Sequence, residues 1–388
     1  MASAHSDSAP SETADERGWI TPQLVTFCLA CLGVTVIAGL VQVSFGSYSM
    51  TIGQAWRAVF NPSVVFDLDA WESFLLGGEL PEMNRRSLVV WNIRLPRVFV
   101  AAIVGASLAV SGAIFQAVTR NELASPYVLG VSSGAGLTVL LTLVVFPGAT
   151  IVIPVLFGGV ALTTSALLPL LAAVGGTIAF LLVYGIAWKG GTSPVRLVLA
   201  GVIVNMVFQS LQRGLFFFAD SLGVVQSALA WITGSLTGTG WEQVRLAIVP
   251  ATLAIVLAIG GARQLNVLLL GERTAKSLGM RVERMRFLLS GVAILAASTA
   301  IAVAGIIGFF GLVVPHVVRI VLGSDYRRLI VGCLFAGPAL MVVADVGARL
   351  GLAVLFGGGQ IPVGVVTGVV GGPYFLYLMR RQQTMGDL

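Results

Sequence analysis

Uninterrupted apolar runs of about twenty residues recur along this chain, and the segments between them carry most of its charged residues. Charged residues make up only 10% of the chain, compared with about a quarter in soluble domains. The runs match the length of a helix that crosses a bilayer and far exceed the ~10 residues of a membrane-barrel strand. Because backbone polar groups in lipid must be paired internally, the sequence predicts an all-α polytopic membrane protein.

About ten transmembrane helices are expected if each span takes ~20 residues. They are placed at 22–44, 93–118, 125–146, 164–187, 194–217, 244–262, 285–304, 306–322, 328–348 and 362–380. The boundary at Gly305 is weakly marked, and the apolar segment 147–163 is either a loop or an extension of a neighbouring helix. Residues 1–21 are polar and predict a disordered cytoplasmic tail, followed by one transmembrane domain at 22–388.

The distribution of cations predicts the orientation of these spans. Roughly twice as many Lys and Arg residues fall on the side shared with the N-terminus as on the other, so both termini are expected to be cytoplasmic. The long loop 45–92 is then external, with an amphipathic piece near Thr51–Phe60. Spans 2–5 and 7–10 would have opposite orientations, which predicts an inverted repeat.

The net charge of +6 sits mainly at the ends of apolar runs, where it indicates interfacial anchors and not nucleic-acid binding.

A short polar helix pattern, Gly271–Gly279, lies within the cytoplasmic segment 264–284 between two long apolar runs. A small amphipathic helix held at the membrane surface suggests a docking site for another protein. Lys276 and Ser277 lack the glycines that a Walker A loop requires, so any nucleotide must be bound by another chain.

Polar residues inside the spans offer a second candidate site. Four residues of the fifth span fall on one helical face and form either an interhelical hydrogen-bond seam or the wall of a translocation path: Asn205, Gln209, Gln212 and Phe216. Before that span, Thr192 and Ser193 follow a glycine pair and suit either a movable constriction or an ordinary helix start. His316 has no nucleophile or second histidine at a functional spacing, so neither a catalytic nor a metal site is predicted.

Several of these stretches together, in order from Arg94 to the C-terminus, resemble the FecCD-type permeases, the membrane subunits of ABC importers for iron-siderophores, haem and vitamin B12. The stretches are Arg94-Leu-Pro-Arg97, Gly112-Ala-Ile-Phe-Gln116, Asn121-Glu-Leu-Ala-Ser-Pro126, Tyr127-Val-Leu-Gly130, Leu199-Ala-Gly201, Trp231-Ile-Thr-Gly234, Gly271 to Gly279, Gly308-Phe-Phe-Gly-Leu-Val-Val-Pro315, His316-Val-Val-Arg319 and Ile361-Pro362-Val-Gly364. Each motif is weak alone, but the ordered set is specific.

The resemblance implies a type II importer: two permease subunits, either two copies or a relative, with two ATPase subunits inside and a solute-binding protein outside. It assigns ATPase docking to Gly271, Glu272, Arg273, Ala275, Leu278 and Gly279, with Glu272 and Arg273 exposed. It assigns binding-protein docking to Arg94, Arg97 and Arg349. Thr192 and Ser193 match the family's inner constriction, and the Asn205 face matches the helix that lines the path. Gln360 stands where the family commonly has Glu, which puts any role of a charge there in doubt.

The expected function is therefore that of a multi-pass permease in a bacterial cytoplasmic (inner) membrane that imports a ferric siderophore. Haem and cobalamin are alternative cargoes. No cofactor is expected on this chain, because ATP and Mg would be bound by the partner ATPase. A more distant alternative is an ion-coupled secondary transporter, which would need intramembrane carboxylates such as Asp345 or Glu122.

Overall fold

The computed structural model describes residues 18–46, 48–78, 81–146, 150–155, 158–189, 191, 193–219, 222–351 and 360–386. The predicted tail 1–21 is described only from residue 18, and Thr192 lies outside the described residues.

The described residues form a helical bundle with one short β-hairpin. The helices are α1 (Pro22–Ser44), α2 (Ile52–Val59), α3 (Pro62–Val65), α4 (Leu68–Glu72), α5 (Arg85–Val89), α6 (Leu95–Thr119), α7 (Val131–Val145), α8 (Thr164–Ala187), α9 (Pro194–Leu215), α10 (Leu222–Thr233), α11 (Trp241–Gly260), α12 (Ala262–Leu269), α13 (Glu272–Ser277), α14 (Val282–Ala304), α15 (Phe310–Leu322), α16 (Tyr326–Val346) and α17 (Val363–Gly386). Short π-helical turns extend three of them, at Ser73–Gly77, Val90–Arg94 and Gly347–Gly351, and a 3-10 turn at Phe216–Phe218 ends α9. The strands are β1 (Thr150–Val155) and β2 (Gly158–Thr163), which pair antiparallel.

The predicted polytopic all-α class is confirmed. Seven helical stretches within the described residues are long and apolar enough to cross a membrane: Pro22–Ser44, Arg85–Thr119, Leu167–Ala187, Pro194–Phe216, Trp241–Gly260, Val282–Ala304 and Tyr326–Leu350. The other three predicted spans coincide with shorter apolar helices, Val131–Val145, Phe310–Leu322 and Val363–Tyr377. The inverted relation between the halves stays a prediction.

Three local features differ from the sequence prediction. The third span begins at Val131 and not at residue 125, because Pro126 disfavours helical geometry before it and Gly130 adopts a left-handed φ of 79°. The segment 147–163, left open between a loop and a helix extension, contains the β-hairpin. Helix α10 was not predicted, since 12 residues are too short to register as a span.

Side-chain caps and one glycine fix the helix ends near the functional residues. Thr21 accepts a hydrogen bond from the Leu24 backbone N–H and starts α1, and Ser193 caps α9 in the same way. The weakly marked boundary at Gly305 is confirmed: this residue ends α14 with φ +71°, and an added Cβ would lie 2.3 Å from the Trp231 carbonyl oxygen.

Helix α6 is the most buried of the long apolar helices and contacts α14, α15 and α16. Glycine allows the closest of these approaches: a Cβ added at Gly112 would lie only 1.7 Å from the Gly311 carbonyl oxygen of α15. The 25 residues of α6 span about 37 Å. We call the side of the bundle at its N-terminus the Arg94 end and the side at its C-terminus the Arg120 end.

The long loop at the Arg94 end is folded. The predicted amphipathic piece forms α2, which begins with a reciprocal cap between Thr51 and Gln54. Four aromatic rings anchor the loop to the bundle: Trp71, Phe74, Trp91 and Trp241. The Phe74 ring stacks on Trp241 at 4.8 Å, and the Trp241 indole donates to the Trp91 carbonyl oxygen at 2.7 Å.

Candidate functional site

Helix α13 lies at the Arg120 end between two glycines in left-handed backbone conformations, Gly271 at φ +104° and Gly279 at φ +80°. Ala275 is fully buried and packs the helix against the bundle. Arg273 of α13 is exposed, and Leu278, which follows the last residue of the helix, is 63% exposed. An exposed large apolar side chain and an exposed cation within one short segment are suited to protein contact.

Two residues of the predicted docking set differ from expectation. Glu272 is only partly exposed, because its carboxylate accepts from Arg286 at 2.9 Å and lies 3.5 Å from Arg120. The hydrogen bond from Arg286 holds the pKa of Glu272 below its ordinary value, so this carboxylate is ionised at neutral pH. Ala275, also assigned to docking, faces the bundle and cannot contact a partner.

Arg286 was not singled out by the sequence analysis. Its side chain is 1% exposed, and besides Glu272 it donates to Glu283 at 3.1 Å. A cation at the start of an apolar run indicates an interfacial anchor. No local sequence signal therefore distinguished Arg286 from its exposed neighbour Arg284.

Ser193, just before α9, is held by hydrogen bonds to Arg196. The Ser193 hydroxyl accepts from the Arg196 backbone N–H at 3.3 Å and from Arg196 Nε at 3.1 Å. Arg196 also donates to the Gly191 carbonyl oxygen at 2.9 Å. Ser193 therefore caps the helix, as one of the two readings of the sequence expects, and its role in a constriction stays a prediction.

The polar face of α9 divides into two parts. Gln212 is 6% exposed and donates to the Ser133 carbonyl oxygen of α7 at 2.7 Å, so it belongs to an interhelical seam. Gln209 is half-buried and donates to Asn205 and to the Tyr127 hydroxyl, at 3.2 Å each. Phe216 lies in the turn after α9 and is half-buried. Of the four residues predicted on this face, Asn205, Gln209 and Phe216 are partly exposed, as the wall of a path requires, and Gln212 is not.

Three arginines converge on a cavity of about 450 Å³ at the Arg94 end, which we call the arginine cavity. Its lining includes Arg94, Arg97, Arg349 and Gln360. Arg97 binds Asp345 through two hydrogen bonds of 2.8 Å each and donates to Gln360 at 3.0 Å.

The predicted docking arginines are less accessible than expected. Arg94 and Arg97 are 4% and 7% exposed, and Arg94 donates to the Val43 and Tyr48 carbonyl oxygens at 2.7 and 2.5 Å. Within the described residues, Arg349 has no carboxylate within ion-pair distance and donates only to the Gln42 carbonyl oxygen, at 3.4 Å. Arg349 is therefore the member of the set best placed to receive an external carboxylate.

Asp345 and Glu122, the two carboxylates considered for ion coupling, each pair with an arginine. Asp345 is 1% exposed and is bound by Arg97 and by the Gln42 amide. Glu122, at the Arg120 end, lies 3.2 Å from Arg319, which also donates to Gln116 at 2.9 Å.

Comparison with known proteins agrees with this arrangement. A family model described as the FecCD transport family matches residues 34–381. The Fe(3+)-citrate import system permease protein YfmD of Bacillus subtilis is 38% identical over 303 residues, which cover 78% of this chain and 84% of that protein. The vitamin B12 import system permease protein BtuC of Vibrio cholerae is 36% identical over 333 residues, covering 86% of this chain and 89% of that protein.

A solved structure of an inward-facing metal-chelate type ABC transporter matches the fold with a TM-score of 0.73. It covers 92% of this chain and 99% of that one, at 24% identity, so the likeness concerns the fold alone. The family match spans nearly every helix described above. It includes α13 and the residues that line the arginine cavity. The chain is a multi-pass membrane protein and belongs to the FecCD transport family, the membrane permeases of ABC importers.

Proposed function

We propose that this chain is the permease through which a ferric siderophore enters the cell, driven by ATP hydrolysis on partner subunits. The observation that carries the proposal is α13, a short helix packed on the bundle through Ala275, with Arg273 exposed on it and Leu278 exposed just after it. An ATPase subunit that binds this face can move the bundle when it closes on ATP and Mg. The chain itself performs no covalent chemistry.

The distribution of cations supports a cytoplasmic Arg120 end, which places α13 where ATP is. The Arg94 end then faces the solute-binding protein. Helix α9 exposes large apolar side chains along its length, among them Val195 and Met206 at 76% and 64%. We infer that a second permease subunit, either a copy or a relative, lies across the path from this helix, and that ATP binding opens the path outward.

Charge at Arg349 should govern docking of the solute-binding protein. Replacing Arg349 with Glu is expected to weaken that docking by about 1–3 kcal/mol, the range for a hydrogen bond to a charged group. This corresponds to an increase in Kd of about fivefold to about 150-fold, measured by titrating loaded binding protein onto the detergent-solubilised complex. Arg57→Glu is the matched control, because Arg57 is exposed in α2, within the loop at the Arg94 end, and does not line the cavity. An R349E affinity equal to that of R57E would contradict this role.

The cargo is assigned to the iron chelates because the Bacillus subtilis relative is a Fe(3+)-citrate permease and because siderophore importers are the expected members of this family. The Vibrio cholerae relative supports cobalamin as a second candidate, with haem as a third.

The test is the ATPase activity of the complex purified through this chain. Binding protein loaded with ferric siderophore, haem or cobalamin is titrated in separate experiments. Stimulation by ferric siderophore alone supports the proposal, and stimulation by cobalamin or haem alone reassigns the cargo. A chain that purifies without any ATPase, under conditions that preserve the fold, would remove the basis of the proposal.

A further inference from the structure

Helix α2 has large apolar side chains on a side that the bundle does not cover. Residues four apart in a helix lie on the same face, because each residue turns the chain by about 100°. Ala55 and Ala58 are buried and pack α2 on the bundle. Ile52, Trp56 and Phe60 follow one another at four-residue spacing and are 54%, 42% and 61% exposed. We call these three residues the α2 stripe.

The remaining side of α2 carries no large apolar side chain. Gly53 and Arg57, again four residues apart, are both exposed and lie beside the α2 stripe. The helix therefore has one buried side, one exposed apolar side and one exposed polar side. This division is typical of helices that lie in the plane of a membrane interface, with the apolar side among acyl chains and the polar side in water.

A hydrogen bond places the α2 stripe at the level where α1 leaves the membrane. The Trp56 indole N–H donates to the Ser44 hydroxyl at 3.2 Å, and Ser44 is the last residue of α1. The 23 residues of α1 span about 34 Å, compared with ~30 Å for the hydrocarbon core of a bilayer. Ser44 and Trp56 therefore lie near the boundary between hydrocarbon and head groups, where tryptophan is enriched.

The α2 stripe also continues an exposed apolar face of α1. Along that face, large apolar residues recur at spacings of four, three and four: Val25, Leu29, Leu32 and Val36. Ile37 is the last exposed large apolar residue of α1, and it precedes Ser44 by a rise of about 10 Å. Because Trp56 is bonded to Ser44, the stripe supplies apolar surface beside the end of α1 that has none of its own.

Lipid is the occupant that this position favours. Helix α1 is a membrane span and packs on α16, whereas α9, beside which the second permease subunit is placed, packs on α7 and α8. The exposed face of α1 is therefore not the face assigned to the second subunit. Only this exclusion rests on the proposed function.

We propose that α2 is an interfacial anchor whose stripe inserts into the membrane leaflet at the Arg94 end. Gly46 and Tyr48, which lie between α1 and α2, line the arginine cavity, and the Tyr48 carbonyl oxygen accepts from Arg94. An α2 held by lipid therefore fixes one wall of the arginine cavity relative to the bilayer surface.

The experiment measures the collision of spin labels with oxygen, which concentrates among acyl chains, and with a neutral nickel chelate, which stays in water. Phe60→Cys and Gly53→Cys are made in a parent whose native cysteines, Cys28, Cys31 and Cys333, are replaced. The full chain with its co-purifying subunits is labelled and reconstituted into phosphatidylcholine–phosphatidylglycerol vesicles, and the labelled parent complex supplies the background signal. Gly53→Cys is the matched control, because it lies on the same helix and a Cβ added there meets no atom within 4 Å.

The label at residue 60 should have an oxygen-to-nickel accessibility ratio at least about threefold that of the label at residue 53, because the apolar side of an interfacial helix enters the acyl boundary by about 5–10 Å. Should F60C not assemble, Ile52→Cys replaces it, since Ile52 belongs to the same stripe.

Three results would overturn the anchor. Equal ratios at residues 60 and 53 would show that the stripe faces water. A residue-60 label shielded from both probes would show that protein covers it. Nickel accessibility lost only when the solute-binding protein is added would assign the stripe to that protein. The ATPase activity of the same vesicles reports separately on the proposed function.

Discussion

Replacing Asp345 with asparagine is expected to destabilise the folded chain by about 3–5 kcal/mol, the cost of removing one partner from a buried ion pair. Asp345 is 1% exposed, and both of its oxygens accept from Arg97 at 2.8 Å. The substitution leaves Arg97 buried without its counter-charge in a cavity that also contains Arg94 and Arg349. The midpoint of thermal unfolding in detergent should fall by on the order of 5 °C or more.

A double variant tests the cause of that loss. Asp345→Asn combined with Arg97→Gln removes both charges and should recover most of the lost stability, since the cost comes from an unpaired buried charge. Asp69→Asn is the matched control, because Asp69 is exposed in the loop at the same end. A D345N protein as stable as D69N, or a double variant as unstable as D345N, would refute the account of this pair.

Replacing the exposed Arg273 and Leu278 with acidic residues should separate the permease from its ATPase. Arg273→Glu with Leu278→Asp removes one cation and one large apolar contact at the proposed interface centre, where hot-spot truncations each cost about 2 kcal/mol or more. A combined loss of about 4 kcal/mol lowers the affinity by nearly a thousandfold. The amount of ATPase that co-purifies with the tagged chain measures the effect.

The fold should survive this double substitution, because both side chains are exposed. The matched control is Arg57→Glu with Leu68→Asp, which makes the same chemical changes on exposed residues at the Arg94 end. Equal ATPase recovery from the two double variants would show that α13 is not the docking helix.

The positions of the spans could be read from the sequence because hydropathy over ~20 residues is a local property. Helix α10 and the β-hairpin were not predicted, because each element is shorter than a span. The start of the third span was misplaced because the segment from the Ser-Pro turn to the left-handed Gly130 is not helical but is about as apolar as the helix that follows it.

The candidate site was predicted in its residues but not in its contacts. Arg97 and Asp345 are 248 residues apart, so no local pattern could indicate that a predicted surface arginine is held inside the bundle. Glu272 and Arg286 are separated by 14 residues across a turn, and their pairing depends on how α13 folds back on α14. The exposure of Arg273 could be predicted from its place on a short amphipathic helix, whereas that of the apolar Leu278 could not.

The central claim is that ATP hydrolysis, and not an ion gradient, drives import through this chain. The most direct measurement is uptake of labelled ferric siderophore, haem or cobalamin into proteoliposomes that contain the purified complex, with the solute-binding protein outside and ATP inside. The account predicts uptake of one cargo that requires both ATP and the binding protein. Uptake by the chain alone, driven by an imposed proton or sodium gradient without any ATPase, would contradict it.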